Sequence, residues 1–307
     1  MQKTKTVIII VGPTASGKTE LSLELAAHFN TDIISADSRQ CYRELNIGVA
    51  KPAPEALQSI KHYFIDSHSI HDDVNAQSFE DYALNAASEI FKKKDTAIMV
   101  GGTGLYIKAF CEGLDDIPAV DVAVRRSIVD SYNKNGLTWL QNEVREKDPA
   151  FFLLGEHKNP QRLMRALEVM ISAGRSISSF RTSQKKARPF RTIKLGIHLS
   201  KEKLVSNIDG RVDAMIAAGL VNEVRMMVPY RNLNALQTVG YNEVFSFLDG
   251  EISLEQAINR IRSNTRQYAK RQLTWFKKDP SIIWIDCTSL TKRDRFAAAV
   301  MAVSNSG

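Results

Sequence analysis

Residues 12–19, Gly-Pro-Thr-Ala-Ser-Gly-Lys-Thr, constrain this chain most, because they have the phosphate-loop spacing of a glycine, four residues and then Gly-Lys-Thr. Residues 7–11 before them form an apolar run typical of a buried strand, and residues 20–29 after them have apolar positions at helical spacing. Such a loop turns its backbone N–H groups inward at a helix N-terminus, where the helix dipole also favours anions. The stretch predicts a site for two or more linked phosphates, formed by Gly12, Thr14, Ala15, Ser16, Gly17, Lys18 and Thr19.

Two side chains of the loop have distinct predicted roles. We expect Lys18 to reach the outer phosphates, and the Thr19 hydroxyl to contact a Mg²⁺ ion bound to them. A glycine-rich turn without a ligand is the alternative, and the matching strand and helix on either side argue against it. The loop does not identify the phosphate compound, nor whether that compound loses a phosphate, a diphosphate or nothing.

The composition is that of an ordinary globular protein. Of the 307 residues, 44% are hydrophobic and 24% are charged, which gives no sign of a disordered or fibrous class. Residues 1–6 are polar and only five apolar residues follow them, too few for a signal peptide or a membrane span. We therefore expect a cytoplasmic protein with no membrane partner.

The positive charge is concentrated in two windows. Residues 158–194 contain ten Lys or Arg and one acid, and residues 260–278 contain seven Lys or Arg and no acid. The net charge of the whole chain is only +7, so the rest of it is acidic. Two basic faces on an otherwise acidic protein suggest a polyanionic partner larger than a nucleotide, although either window alone could be a solvated helix face.

Strands and helices alternate through the first third of the chain. Strands are predicted at residues 32–37, 62–66 and 97–100, and helices at 78–92 and 105–111. Alternation of this kind is typical of a parallel sheet with right-handed crossovers. The predicted fold class is therefore α/β, a P-loop NTPase-like parallel sheet flanked by helices.

Two polar residues follow strands at the edge where the phosphate loop lies. Asp37 ends the second strand, and Thr103 follows the Gly101-Gly102 pair after a later one. Asp37 is a candidate general base, or a Mg²⁺ ligand through water, with a turn cap as the alternative. Thr103 is predicted to contact the phosphates or a leaving oxygen, with a helix cap as the alternative.

A change of character after residue 114 predicts an inserted domain. We expect a first core segment at 1–114, an inserted helical domain at 115–191 and a second core segment at 192–307. Helices are predicted at 122–135, 137–146, 162–172, 176–183 and 259–276, and strands at 193–199 and 282–285. In the basic helix at 259–276, Tyr268 and Trp275 could stack on bases, but for Trp275 packing in the core is favoured.

Six motifs, in this order, resemble those of bacterial tRNA dimethylallyltransferases. They are GPTASGKT at 12–19, DSRQ at 37–40, GVAKP at 48–52, VGGTGLY at 100–106, NPQRLMRALE at 159–168 and VGY at 239–241. Many proteins share the phosphate loop, whereas the ordered set is specific and runs over nearly the whole chain. The resemblance implies transfer of a dimethylallyl group from dimethylallyl diphosphate to N6 of the adenosine 3′-adjacent to the anticodon of tRNA, with release of diphosphate.

The resemblance also implies roles for individual residues. Asp37 would accept a hydrogen bond from the adenine N6 amino group and act as the base, once the adenosine has left its stack. Charge on the leaving diphosphate would be stabilised by Thr103, Arg211, the phosphate loop and Mg²⁺ as cofactor. The protein, expected to be a monomer, would grip the tRNA anticodon stem-loop through Asp37, Ser38, Arg39, Gln40, Thr103, Arg125, Gln161, Arg162, Leu163, Met164 and Arg165.

Two other functions fit part of the sequence. A P-loop kinase acting on a nucleotide or small metabolite would use Lys18 and Thr19 equally well, but it leaves both basic windows without a role. An ATP-dependent nucleic-acid module would use the basic windows, but it gives no role to Asp37 beside Thr103. The transferase is the function that uses all of these features.

Overall fold

The computed structural model describes residues 4–182 and 184–306. The chain divides into two compact units, which we call the core unit, Met1–Cys111 with Ala187–Gly307, and the helical unit, Glu112–Lys186. Among the residues described, no helix is both long enough and apolar enough to cross a bilayer.

A six-stranded parallel sheet forms the centre of the core unit. Its strands are β1 Thr6–Val11, β2 Ile33–Ala36, β3 His62–Tyr63, β4 Thr96–Gly101, β5 Arg191–His198 and β6 Ile282–Asp286. Their spatial order is β3-β2-β4-β1-β5-β6, and every neighbouring pair is parallel. Strand β1 lies inside the sheet and all of its residues are buried, which explains its continuous apolar sequence. The carboxyl ends of β1, β2 and β4 therefore meet at one edge.

Helices connect and cover these strands. In chain order they are α1 Lys18–His28, α2 Pro54–Ser59, α3 Ala76–Phe91, α4 Gly104–Glu112, α5 Val122–Lys147, α6 Pro149–Phe152, α7 Pro160–Ala173, α8 Lys201–Ala217, α9 Leu220–Met226, α10 Tyr241–Leu248, α11 Leu254–Phe276 and α12 Lys292–Ser304. The side chains of β1 alternate between two buried clusters, with Val7 and Ile9 in one and Ile8 and Ile10 in the other. The sheet is thus covered on both faces, as a parallel sheet requires.

The helical unit contains α5, α6, α7 and a 3₁₀ turn at Ile177–Phe180. Its core includes Leu140, Phe151 and Leu163. Within α5, Gly136 has φ 74°, a left-handed conformation that interrupts the helix between the two helices predicted there. The helix predicted at 176–183 is instead the short 3₁₀ turn, and Ser183 lies outside the described residues.

The predicted fold class, a parallel α/β sheet with inserted helices, is confirmed. The strand predicted at 62–66 has only two residues, because Phe64 and Asp66 adopt left-handed backbone conformations that a strand does not permit. The prediction that Trp275 is a core residue is wrong. Its side chain is 39% exposed, and its indole covers Gly104 rather than entering a buried cluster.

Candidate active site

A cavity of about 580 Å³ opens in the core unit at the carboxyl edge of the sheet. The residues predicted from the sequence that line it are Thr14, Ala15, Ser16, Gly17, Lys18, Thr19, Asp37, Ser38, Arg39, Gln40 and Arg211. Gly12 and Thr103 are not part of its lining, and Thr103 instead contacts the turn that carries Asp37. The cavity therefore brings together the phosphate loop and a carboxylate that the chain separates by almost twenty residues.

The phosphate loop has the backbone conformation that its glycines predict. Gly12 has φ 148° and Gly17 has φ 87°, both in the range that a side chain disfavours. Helix α1 begins at Lys18, directly after Gly17, so the first N–H groups of the helix have no acceptor within it. An anion in the loop would meet these N–H groups and the positive end of the helix dipole.

One N–H group of the loop is already occupied by a side chain from α11. The Thr14 N–H donates to Gln272 Oε1 (2.8 Å), and Gln272 Nε2 donates to the carbonyl of Gly102 (2.9 Å). A Cβ atom at Gly102 would lie 2.1 Å from this amide nitrogen, so a larger residue there would displace the Gln272 side chain. Gln272 therefore ties the basic helix α11 to both the phosphate loop and the end of β4.

Two cations share the wall beside the loop. The Lys18 ammonium donates to the carbonyl of Pro13 (2.6 Å), and burial together with the nearby Arg211 lowers its pKa to about 7, against the opposing effect of Asp37. Burial also lowers the pKa of Arg211, whose Nη1 lies 3.3 Å from Thr14 Oγ1. Burial makes the charged forms of both side chains unfavourable in the empty pocket, and a bound phosphate would offset this free-energy cost.

Asp37 caps the turn that follows β2 and keeps one carboxylate oxygen available. Its Oδ1 accepts hydrogen bonds from the N–H groups of Arg39 (2.9 Å) and Gln40 (3.3 Å), which is the turn-capping alternative. In the described part of the chain, Oδ2 makes no hydrogen bond, so one oxygen positions the carboxylate and the other can still accept. Thr103 Oγ1 accepts from the Ser38 N–H (3.1 Å), so Thr103 supports the same turn.

Gln40 holds a neighbouring segment of the cavity wall. Its Nε2 donates to the carbonyls of Val49 (3.3 Å) and Ala50 (3.0 Å), and its Oε1 accepts from Ser35 Oγ (3.3 Å). The Gln40 side chain is thereby engaged within the protein. Donation from its amide group to RNA would require one of the Nε2 bonds to break.

A buried carboxylate missing from the sequence prediction holds the other side of this segment. Glu223, on α9, accepts from the backbone N–H groups of Asn46 (3.1 Å), Ile47 (2.8 Å) and Gly48 (2.9 Å), and from the hydroxyl of Tyr241 (2.5 Å). Three successive N–H groups on one carboxylate form a rigid nest. We call residues 46–50 the wall segment.

One face of α11 completes the cavity. Ile261, Thr265, Tyr268 and Gln272 line it at intervals of four, three and four residues, the spacing of one helical stripe. That spacing was available in the sequence and could have identified Gln272. Of the basic residues of the same helix, Arg271 also lines the cavity, whereas Lys270 borders a separate groove and Arg266 pairs with Asp209.

The helical unit contains the other residues predicted to bind RNA. Some of them are accessible at its surface and others are buried in its core. Arg165 Nη1 lies 3.4 Å from the buried Glu168 and Arg125 Nε lies 4.0 Å from it, while Arg162 pairs with Glu156. Gln161 is exposed at the start of α7, where Asn159 caps the helix. The prediction for Leu163 and Met164 needs correction, because both side chains are buried in the core of the unit and cannot contact a partner.

The donor groups at the cavity suit Mg²⁺ only together with a phosphate. Among the described residues, no group of three or more His, Cys, Asp or Glu could hold a metal ion. The Thr19 hydroxyl and the Asp37 carboxylate are hard oxygen donors on the cavity wall. Mg²⁺ is usually held by one or two protein oxygens, substrate phosphates and waters, so these residues fit such an ion.

Comparison with known proteins finds a matching family and several similar proteins. The IPP transferase family matches residues 40–279. A tRNA dimethylallyltransferase of Cytophaga hutchinsonii is 45% identical over 96% of this chain and 97% of its own length. Another, from Christiangramia forsetii, is 48% identical over 91% of this chain and 93% of its own length.

Solved structures are similar over the same extent. The full-length tRNA isopentenylpyrophosphate transferase of Bacillus halodurans superposes with a TM-score of 0.73 at 31% identity, covering 98% of this chain and 96% of that one. A eukaryotic dimethylallyltransferase described as acting on tRNA has a TM-score of 0.80 at 27% identity, covering 98% of this chain and 79% of that one.

Proposed function

The chain belongs to the IPP transferase family, and we propose that it transfers a dimethylallyl group from dimethylallyl diphosphate to N6 of the adenosine 3′-adjacent to the anticodon of tRNA, releasing diphosphate. One observation supports this most: a phosphate loop with two half-buried cations shares its cavity with a carboxylate that has a free acceptor oxygen. The cavity thus offers a place for a leaving diphosphate and a base for an attacking amine.

The diphosphate of the donor lies in the loop, where backbone N–H groups, Lys18 and Arg211 surround it. As N6 attacks the allylic carbon, a C–N bond forms and the C–O bond to the diphosphate breaks, with its electron pair going to the leaving oxygen. Lys18 and Arg211 stabilise that growing charge most strongly because they are desolvated. The Thr19 hydroxyl and phosphate oxygens would hold Mg²⁺, which supplies further charge neutralisation.

Asp37 receives the proton that N6 loses. Its Oδ1 is held by two backbone N–H groups, so Oδ2 stays in place to accept the proton from N6. A carboxylate is needed because an exocyclic amine is a poor nucleophile and a poor acid. The adenosine has to leave its stack to bring N6 within hydrogen-bond distance of this oxygen.

The anticodon stem-loop binds exposed cations of the helical unit. Arg125, Arg162 and Arg165 are exposed or half-buried at their guanidinium ends and are oriented by acidic neighbours, which suits phosphate contacts. We propose that the protein acts as a monomer in the cytoplasm, where its tRNA substrate is found. The kinase alternative is not favoured, because the similar proteins are named as tRNA dimethylallyl or isopentenyl transferases.

A labelling experiment tests this function. The protein is incubated with unmodified tRNA and either labelled dimethylallyl diphosphate or labelled ATP. We expect label to reach tRNA from the allylic donor and to be lost in a tRNA whose target adenosine is replaced by guanosine. Turnover of ATP without allylic transfer would refute the proposal and favour the kinase.

The role of Asp37 is tested by Asp37→Ala. Turnover should fall by roughly 10²–10⁴-fold, while the affinity for tRNA changes little. Asp81→Ala, at an exposed carboxylate of α3, is the matched control and should behave as the wild type. A large loss of tRNA affinity with normal turnover at saturation would show that Asp37 binds RNA rather than accepting the proton.

A further inference from the structure

Helix α12 brings two cations to the first turn of α1. Arg295 is only 8% exposed, and its Nη2 lies 2.7 Å from Glu20 Oε2. Lys292, one turn earlier on α12, forms an ion pair with the other oxygen of the same carboxylate. Glu20 is therefore paired through both of its oxygens with cations from the C-terminal end of the chain.

The position of Glu20 makes this pairing significant. Glu20 follows Thr19 directly in the first turn of α1 and lines the cavity. A carboxylate there suits the helix dipole, but it also repels any phosphate bound at the same helix end. Although burial alone would raise it, hydrogen bonds from Lys292 and Arg295 hold the pKa of the Glu20 carboxyl below its ordinary value, so the group is ionised.

Arg295 also packs against the phosphate loop at Gly17. A Cβ atom built on Gly17 would lie 2.6 Å from Arg295 Nη1, so the guanidinium is packed against the last residue before α1. Its Nε is buried and has no hydrogen-bond partner among the described residues, and Glu24 Oε2 is 3.9 Å from Nη2. A buried guanidinium with an incomplete set of partners is costly if its only task is to hold two helices together.

We propose that Arg295 is a positioning residue of the diphosphate site, which neutralises Glu20 and supports the loop at Gly17. The inference rests on the proposed function, since it assumes a diphosphate in the loop. It adds to the site a helix that lies outside residues 40–279, the part matched by the family. Arg295 acts through Glu20 and Gly17 and is not assigned a contact with substrate.

Removing the charges singly and together tests the inference, with inorganic pyrophosphate as the probe, titrated by calorimetry into the full-length protein. Arg295→Met leaves Glu20 with one cation, and pyrophosphate affinity should fall about tenfold. The double variant Glu20→Gln with Arg295→Met also removes the carboxylate that has lost its buried partner, and affinity should return to within about threefold of the wild type. Glu20→Gln alone removes the carboxylate and keeps both cations, so it should bind pyrophosphate at least as tightly as the wild type.

A second variant protects the test against misfolding. Lys292 is exposed over 75% of its side chain, so Lys292→Met should fold normally and weaken pyrophosphate binding by a smaller factor, about threefold. If Arg295 only holds α12 against α1, Glu20→Gln will lower the melting temperature as much as Arg295→Met does, and the double variant will not recover binding. That result would overturn the inference.

The two proposals can fail separately. Absence of pyrophosphate binding and of allylic transfer in the wild type would refute the proposed function and this inference together. Normal binding in the wild type, with unchanged binding in Arg295→Met and Lys292→Met, would refute the inference alone.

Discussion

The lowered pKa of Lys18 predicts a specific pH dependence for phosphate binding. With a pKa of about 7 in the ligand-free pocket, half of the Lys18 side chains are neutral at pH 7, and on the order of nine-tenths are neutral at pH 8. Above pH 7, a diphosphate that needs the Lys18 ammonium must therefore bind together with a proton. Between pH 7 and pH 9, affinity for pyrophosphate should fall about 50-fold through this group alone.

Calorimetry in buffers of different ionisation enthalpy measures the proton directly. Uptake attributable to Lys18 should rise from about 0.1 proton at pH 6 to about 0.9 at pH 8. Lys18→Arg is the matched control, because an arginine stays charged throughout and the ligand's own titration is the same. Identical pH slopes in the wild type and Lys18→Arg would refute the reasoning.

The same pKa predicts a change in stability without ligand. Lowering it from 10.5 to about 7 means that the folded pocket disfavours the ammonium by on the order of 5 kcal/mol. The penalty is fully present below pH 7. It falls as the pH rises from 7 to 10.5, because the folded side chain is already neutral and removing its proton costs less at higher pH. It is gone once the unfolded chain also loses its proton. Lys18→Met should therefore raise the free energy of unfolding at pH 7, by about 2–4 kcal/mol in urea titrations, while abolishing pyrophosphate binding.

Two further predictions concern the wall segment and the helical unit. Glu223→Gln places amide hydrogens against N–H donors, and we expect the free energy of unfolding to fall by about 2–4 kcal/mol. Tyr241→Phe removes only one donor and should lower it by about 1 kcal/mol. Equal losses in urea titrations would contradict the role of Glu223 in holding the wall segment. Reversing charge at Arg162 and Arg165 should weaken tRNA binding and reduce its salt slope by roughly one per lost phosphate contact, measured by filter binding. Lys147→Glu on the same unit is the control, and an unchanged slope would remove both arginines from the interface.

Local patterns in the sequence predicted the strand, loop and helix around residues 12–19. The Gly-Lys-Thr spacing and the apolar run before it are short-range features, so they specify a strand, a loop and a helix with no information from elsewhere. In a parallel sheet the carboxyl ends of the strands lie at one edge. The sequence alone is therefore enough to place Asp37 beside the loop.

Contacts between distant segments could not be predicted in this way. Gln272 is 258 residues from Thr14, and Glu223 is 175 residues from Gly48, so no spacing rule connects either pair. The error at Leu163 and Met164 has another origin. The motif was treated as a continuous contact surface, whereas helical periodicity turns these two side chains inward and leaves Gln161, Arg162 and Arg165 outside.

The amide of Gln272 has a thermodynamic consequence for the order in which substrates bind. Its two hydrogen bonds join α11, the helix with the basic residues, to the N–H of Thr14 in the loop and to the carbonyl of Gly102 after β4. A shift of α11 on RNA binding would therefore alter the loop, and the two ligands would share one coupling free energy. Such coupling is reciprocal: whatever factor tRNA contributes to the affinity for the allylic donor, the donor contributes to the affinity for tRNA.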